Sequence, residues 1–222
     1  MQEKDNAITK EFELSAATLI KNLRDRNFES CYCRTKEDAA AKALSLIPED
    51  ASVTWGGSLS VVESGLIEEI KKSKRAWLDR DEAKSPDERL ECMRKAFFCD
   101  FYLGSVNAIS EDGIFVNIDG VGNRVAAISF GPKNIILIVG MNKLCKTLAG
   151  ARERARNFAA PVNAQRVFKT FEGGLPRTPC TASGSCGDCK SADCICSYIV
   201  ETRMCRPLGR IKIILVGESL GF

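Results

Sequence analysis

The chain has eleven cysteines and no histidine, so its chemistry is narrowed at the outset. Histidine triads, histidine metal ligands and imidazole acid–base catalysis are all excluded. Catalysis must fall to carboxylate, lysine, cysteine or arginine side chains, or to a bound cofactor. The densest reactive set is Cys180, Cys186, Cys189, Cys194 and Cys196, with Cys205 further on. The residues between them are small and polar and cannot build a core of their own. Four thiolates that include a Cys-x2-Cys pair can hold tetrahedral zinc or an iron–sulfur cluster. Cys180, Cys186, Cys189 and Cys194 are the first choice, with Cys196 as substitute. Their spacing departs from the usual ferredoxin runs. The competing reading is a set of reduced or paired thiols on a loop. Idle thiols at this density are a hazard in cytosol, which ranks metal first. The choice between iron–sulfur and zinc stays open.

A second set of reactive residues lies between Gly104 and Lys143. Asp119, Asn123 and Arg124 bring a carboxylate, an amide and a guanidinium together among glycines. Such a set suits a hydroxy acid or another carboxylate ligand, because arginine can grip a carboxylate through two parallel hydrogen bonds. The alternative is an internal Asp119–Arg124 ion pair that stiffens the loop. Glu111 and Asp112 are candidate paired carboxylates or a solvent-facing turn. Asn142 and Lys143 follow a buried strand end, where open α/β sheets place their ligands. Lys143 is read either as a pocket ammonium or as a surface lysine. Upstream, Gly56, Gly57 and Ser58 follow a short strand and precede a helix, an arrangement that suits an anion. The bland counterpart is an ordinary strand–helix turn.

Elements must hold these residues in place. Ile8, Phe12, Ala16, Leu19 and Leu23 mark one face of a helix over residues 7–24. Strands are expected over 28–33, 52–55, 75–79, 100–103, 134–139, 196–204 and 210–217. The aliphatic run from Asn134 to Val139 is expected to be buried on both faces. Glu111-Asp112-Gly113 marks a hairpin turn. Thr35 with Asp38, and Ser85 with Pro86 and Glu88, mark helix starts. Ser60 with Glu63 is read as another cap. Two arginine-rich helices are expected over 147–158 and 161–171, their arginines solvated, with a break over 172–179. Cys31 and Cys33 read as core thiols.

Asn107-Ala108-Ile109, Glu111-Asp112-Gly113, Asp119-Gly120, Gly122-Asn123-Arg124, Gly131-Pro132 and Asn142-Lys143 together resemble the LUD-domain family of lactate-utilisation proteins. The likeness is to its single-domain, LutC-like members in particular. Gly56-Gly57-Ser58, Pro179-Cys180 and Val216-Gly217 extend it over the globular chain. The resemblance implies a fold like that of sugar-phosphate isomerases, CoA transferases and formyltetrahydrofolate cyclo-ligases. It also implies a part in oxidising lactate to pyruvate, and it carries no catalytic residue set. On this basis Gly56, Gly57, Ser58, Asn107, Glu111, Asp119, Asn123, Arg124, Asn142 and Lys143 form the candidate ligand site.

The 222 residues suit one α/β domain with a layered, mostly parallel sheet. Residues 1–171 are expected to form the core. Residues 172–206 form a cysteine-rich loop and strand inserted before the final core strand, which lies within 207–222. A net charge of +3 with mixed signs argues against nucleic acid or a membrane surface as main partner. There is no run for a membrane span, and the first residues are too polar for a signal peptide, so a cytoplasmic location is expected. The leading functional expectation is a small-acid-binding component of a lactate-oxidising redox complex, with other lactate-utilisation subunits as partners. The alternatives are a regulatory or assembly subunit with a zinc-stapled loop, and, by fold analogy, a phosphosugar- or CoA-handling enzyme.

Overall fold

The computed structural model describes residues 2–167 and 177–222. In chain order the first elements are α1 (Gln2–Asp25), β1 (Glu29–Cys33), α2 (Lys36–Ser45), β2 (Ser52–Trp55), α3 (Leu59–Glu63), α4 (Leu66–Lys72) and β3 (Ala76–Leu78). Next come α5 (Pro86–Lys95), β4 (Phe101–Gly104), β5 (Ala108–Ser110), β6 (Phe115–Asp119), α6 (Asn123–Phe130) and β7 (Asn134–Gly140). The chain continues through β8 (Leu144–Cys145), α7 (Leu148–Arg154), α8 (Ala160–Val167), α9 (Pro179–Ser183), β9 (Tyr198–Thr202) and β10 (Ile211–Val216). The helix end expected at Phe171, and most of the break expected after it, lie outside the described residues.

Six strands form a wholly parallel sheet in the order β1-β10-β7-β4-β2-β3. Its middle strands β10 and β7 are mostly aliphatic because both faces are covered. On one face Ile135, Leu137, Val139, Ile213 and Leu215 pack with Ala16, Leu19 and Leu23 of α1. On the other, Ile136, Ile138, Ile214 and Val216 meet Ala39, Ala43, Val61, Leu66 and Ile70 of α2, α3 and α4. Cys31 and Cys33 pack against this second core, as a core-thiol reading requires. The sheet is the α/β, mostly parallel architecture expected.

Four shorter strands form a second sheet in the order β8-β5-β6-β9. β5 and β6 are the expected hairpin, and their turn closes at Gly113, where φ is +87°. β9 pairs antiparallel with β6, so the strand after the cysteine loop joins this sheet and not the parallel one. Ala151, Ala155 and Ala160 cover it. Where two separate helices are expected, one helical run extends from Leu148 to Val167. It passes through a π turn over Ala155–Ala159 just before Pro161. Proline has no N–H to give the preceding turn, and a widened turn accommodates that gap without ending the helix.

α6 is held by charge at both ends. At its start, Asp119 Oδ2 accepts from the N–H groups of Arg124 (2.9 Å) and Val125 (3.1 Å). At its end, the buried Arg210 donates to the carbonyls of Ala127 (2.9 Å), Ile128 (2.6 Å) and Pro132 (3.0 Å). Ile128 O lies in the last turn, where carbonyls lack an intrahelical partner, Pro132 O lies just past the helix, and Ala127 O also takes the Gly131 N–H at 3.0 Å; the helix dipole favours a cation beside them. Replacing Arg210 with leucine would strand them in the core. Arg210→Leu should lower the unfolding free energy by about 2–4 kcal/mol in a urea titration. A value within about 0.5 kcal/mol of the native chain, the range of a neutral surface change, would contradict this assignment.

Candidate functional site

Chain connections leave β2 toward β3 but leave β4 toward β7, so the direction of winding reverses between β2 and β4. Parallel sheets open a crevice beyond the carboxyl ends of strands at such a point. A cavity of about 640 Å³ lies there. Gly57, Ser58 and Ser60 line it from beyond β2, and Ser105 and Asn107 from beyond β4. Lys143 enters from beyond β7. Asp119, Asn123 and Arg124 come from the β6–α6 corner, and Asn163 and Arg166 from α8. Most of the sequence candidates are therefore brought together.

Several of their polar groups bond within the protein, which bears on the alternatives left open by the sequence. Arg124 is a strut. Its guanidinium donates to Asn117 Oδ1 (2.5 Å), to Asn107 Oδ1 (3.1 Å) and to the carbonyl of Ile118. Its side-chain contact with Asp119 is a long 4.0 Å, because that carboxylate is engaged by the α6 amides. Those amides are thus closed to a ligand. Asn107 also accepts from Ile118 N at 2.9 Å, which ties β6 to the end of β4. Gly57 serves close approach: a Cβ there would lie 2.7 Å from Arg80 Nη2. Its carbonyl accepts from Arg166 at 3.0 Å, and the N–H of Ser58 is taken by the carbonyl of Gly56 at 2.8 Å. The helix that follows has only five residues, so its dipole adds little.

Gly56 and Asn142 sit behind the cavity wall. Gly56 is packed close against the Tyr102 hydroxyl. Asn142 holds the chain after β10, accepting from Leu220 N at 3.1 Å and donating to Gly221 O at 3.4 Å. Glu111 is placed elsewhere. It lies in the β5–β6 hairpin and pairs with Lys146, so it does not line the cavity. The cap expected at Ser60 and Glu63 is absent too. Ser60 is buried and bonds Lys143, and Glu63 accepts from Gly221 N at 2.7 Å.

Lys143 is 4% exposed. Its Nζ lies 2.8 Å from Ser60 Oγ, 3.1 Å from Ser105 Oγ and 3.1 Å from the Val106 carbonyl. No carboxylate lies in ion-pair range among the described residues. Burial pulls the amine down from 10.5 to about 7, with Arg154 and Arg124 adding repulsion and Glu63 opposing it.

Arg80, Lys84, Arg89 and Arg166 also line the cavity, and sequence reasoning missed them or assigned them to solvent. Arg80 has one long ion pair with Asp81, at 3.8 Å, and its buried Nε has no hydrogen-bond partner. Burial and the charge of Arg80 both hold the Arg166 guanidinium below its ordinary range. The available signal for Arg80 was its place just beyond the strand over residues 76–78, at the ligand end of a parallel sheet.

A second, smaller cavity of about 70 Å³ is lined by Cys180, Cys186, Cys189, Cys194 and Cys196. The five thiols of the sequence motif thus share one space. Among the described residues, no three acidic or thiol side chains stand as a ready ligand set. Burial, then the neighbouring Cys194, Cys180 and Cys186, push Cys196 up to about 12. Cys205 lies apart in the core of the parallel sheet. Ile118 and Ile195 line both cavities and form the partition between them. Gly120 allows this, since a Cβ there would come within 3.3 Å of the Ile195 backbone.

The LUD-domain family matches over residues 16–216, and the chain belongs to that family. A crystal structure of a DUF162 family protein from Deinococcus radiodurans is similar over 92% of this chain and 98% of that one, with a TM-score of 0.49 and 12% identity. A D-ribose-5-phosphate isomerase in complex with phospho-erythronic acid is similar over 64% of this chain and 72% of that one, with a TM-score of 0.36 and 14% identity. No curated protein matches the chain. Among the described residues, no helix is long and apolar enough to cross a membrane.

Lys143 makes a pH signature. Between pH 7 and 10.5 the unfolded chain carries its proton and the folded chain does not, so this residue's penalty shrinks as pH rises. The stability difference between the native chain and Lys143→Met should move in favour of lysine across that window, by at most about 1.4 kcal/mol per pH unit, and level off below it. Denaturant titrations at several pH values check this. A difference that stays flat across the window would contradict a depressed amine.

Proposed function

We propose that the protein holds a small organic acid of the lactate or pyruvate class in the cationic cavity, and that it serves in a redox assembly oxidising lactate to pyruvate. Membership of a family associated with lactate utilisation supports the physiological setting. The observation that carries the binding reading is the charge balance of the cavity. Besides the buried amine of Lys143, five cationic side chains line it, Arg80, Lys84, Arg89, Arg124 and Arg166, against the single side-chain carboxylate of Asp119, which is already committed to the start of α6. Arg80 is the anchor of choice, because its guanidinium is close to the cavity and short of partners. Arg124, held by Asn107 and Asn117, fixes the wall and the field, with Asn123 beside it.

Titration calorimetry with lactate and with pyruvate tests the reading. Arg80→Gln should weaken binding about tenfold or more, some 1.4 kcal/mol. Unchanged affinity would remove Arg80 as anchor, and no heat from either acid with the native chain would remove the reading itself.

The cysteine loop belongs to the same proposal. Cys180, Cys186, Cys189, Cys194 and Cys196 would hold a thiolate-ligated metal centre, for which a thiol-lined cavity and a segment without a core of its own are the support. An iron–sulfur cluster would supply one-electron transfer beside the acid; zinc would supply a structural clasp. Elemental analysis and an absorption spectrum of oxygen-free protein separate these. Iron with broad visible absorbance is the expected result. Zinc without absorbance would favour the regulatory or assembly subunit, and a metal-free protein would end the metal reading.

A further inference from the structure

We propose that Ser105 and Lys143 form a nucleophile–base pair for acyl transfer, acting on an ester or thioester of a small anionic acid. The proposal rests on the reading of the large cavity as an acid-binding site, and it adds a reaction to it.

The hydrogen-bond pattern around Lys143 is the starting point. Ser60 Oγ lies 3.2 Å from the carbonyl of Leu220 and donates its proton there. Its oxygen is left to accept from Lys143 at 2.8 Å. The Val106 carbonyl, at 3.1 Å, can only accept. A neutral amine has two N–H groups, which these two oxygens satisfy, and one lone pair. That lone pair faces Ser105 Oγ at 3.1 Å. Ser105 Oγ has no other hydrogen-bond partner among the described residues, so its proton points to the amine. Every polar hydrogen in the cluster and the lone pair of the amine then have a partner. A charged ammonium would occupy all three oxygens as donor, leave the Ser105 proton without an acceptor, and sit in the interior without a counterion. The arginines nearby add to that cost, since Arg154 and Arg124 both disfavour the charged form.

A serine whose proton is shared with an uncharged lysine is an activated nucleophile, and serine–lysine pairs are a recurrent variant of the serine–histidine arrangement. This chain has no histidine to take that role. Position agrees with the chemistry. Ser105 follows β4 at the reversal of winding, and Ser105 and Lys143 both line the large cavity. The volume of about 640 Å³ exceeds what a three-carbon acid fills, which leaves room for a leaving group as well. Arg80, Arg89 and Arg166 supply recognition for the anionic end of the acyl group.

The step balances without an oxidant or reductant. Ser105 Oγ attacks the acyl carbon, and its proton passes to Lys143 Nζ as the new C–O bond forms. The bond to the alcohol or thiol then breaks, and the leaving oxygen or sulfur takes the proton from Lys143. Water next attacks the acyl-serine ester and gives a proton to Lys143, which returns it to Ser105 Oγ as that ester breaks. The products are the free acid and the alcohol or thiol.

The para-nitrophenyl monoester of adipic acid is a suitable probe for the full chain. Release of nitrophenolate should begin with a burst of about one equivalent, with one adipoyl adduct on the native chain, and peptide mapping should place it on Ser105. Ser105→Ala and Lys143→Met should each slow the release by about a hundredfold or more, the scale of a lost general base. An adduct on a cysteine, or none at all on folded native protein, would overturn the pair, and so would a burst that survives Ser105→Ala. Mapping is done on the native chain, so the result does not depend on a variant folding. Calorimetry with adipate on the same protein separates the two readings. Binding without acylation overturns the nucleophile–base pair alone; neither binding nor acylation overturns the acid site with it.

Discussion

The amine of Lys143 is buried beneath the open end of a parallel sheet with only neutral oxygens around it. Three strands must end together for this to happen. β2 leads to Ser60, β4 leads to Ser105 and Val106, and β7 leads to Lys143 itself. Register in the sheet therefore fixes the site, and the aliphatic core that fixes the register is the energetic basis of the site's geometry. A buried amine disfavours its own charge. Arg154 and the cavity-lining Arg124 act in the same direction on the amine. One arrangement thereby sets a cationic cavity above a buried amine.

Rigidity comes from polar groups that bond each other and not a ligand. Asp119 closes the start of α6, Arg210 closes its end, and Arg124 spans from α6 to the β4 and β6 ends through Asn107 and Asn117. These are buried or half-buried groups whose partners are satisfied, which is what keeps a polar wall in one conformation. Arg80 stands out against them, since it lies at the cavity with an unpartnered nitrogen. The cysteine segment is set against the same wall. Ile118 and Ile195 are the thin apolar partition between the thiol-lined space and the large cationic cavity.

Much of the fold is legible in the residues. Asn134 to Val139 reads as a doubly buried strand because nearly every side chain is aliphatic, and the strand it forms lies in the middle of the sheet. Glu111-Asp112-Gly113 reads as a hairpin turn, and the chain turns there. The helical run through Pro161 is not legible, because proline ordinarily marks a boundary and only the π turn lets the run continue. The site is legible as a set of places more than as a set of roles. Gly57, Asn107, Asp119, Arg124 and Lys143 converge as short motifs in order suggest. Whether Asp119 meets a ligand or a helix start depends on which amides lie within 3 Å or so, and no local pattern carries that. Glu111 has the right chemistry and the wrong side of its hairpin. Ser105 carries no distinctive local pattern, Arg80 has only its place past a short strand, and Ser60 reads locally as a cap. They matter through partners far away in the chain, as Ser60 illustrates, with Lys143 83 residues on and Leu220 160 residues on.

The central claim is that Lys143 is uncharged near neutral pH, and a direct titration of its side chain decides it. Lysine side chains labelled with carbon-13 report protonation through the shift of Cε, and Lys143→Met assigns the signal. The account predicts a midpoint near 7, well apart from the surface lysines. A midpoint at the ordinary 10.5 would contradict it, and with it the reading of the cavity floor as a base.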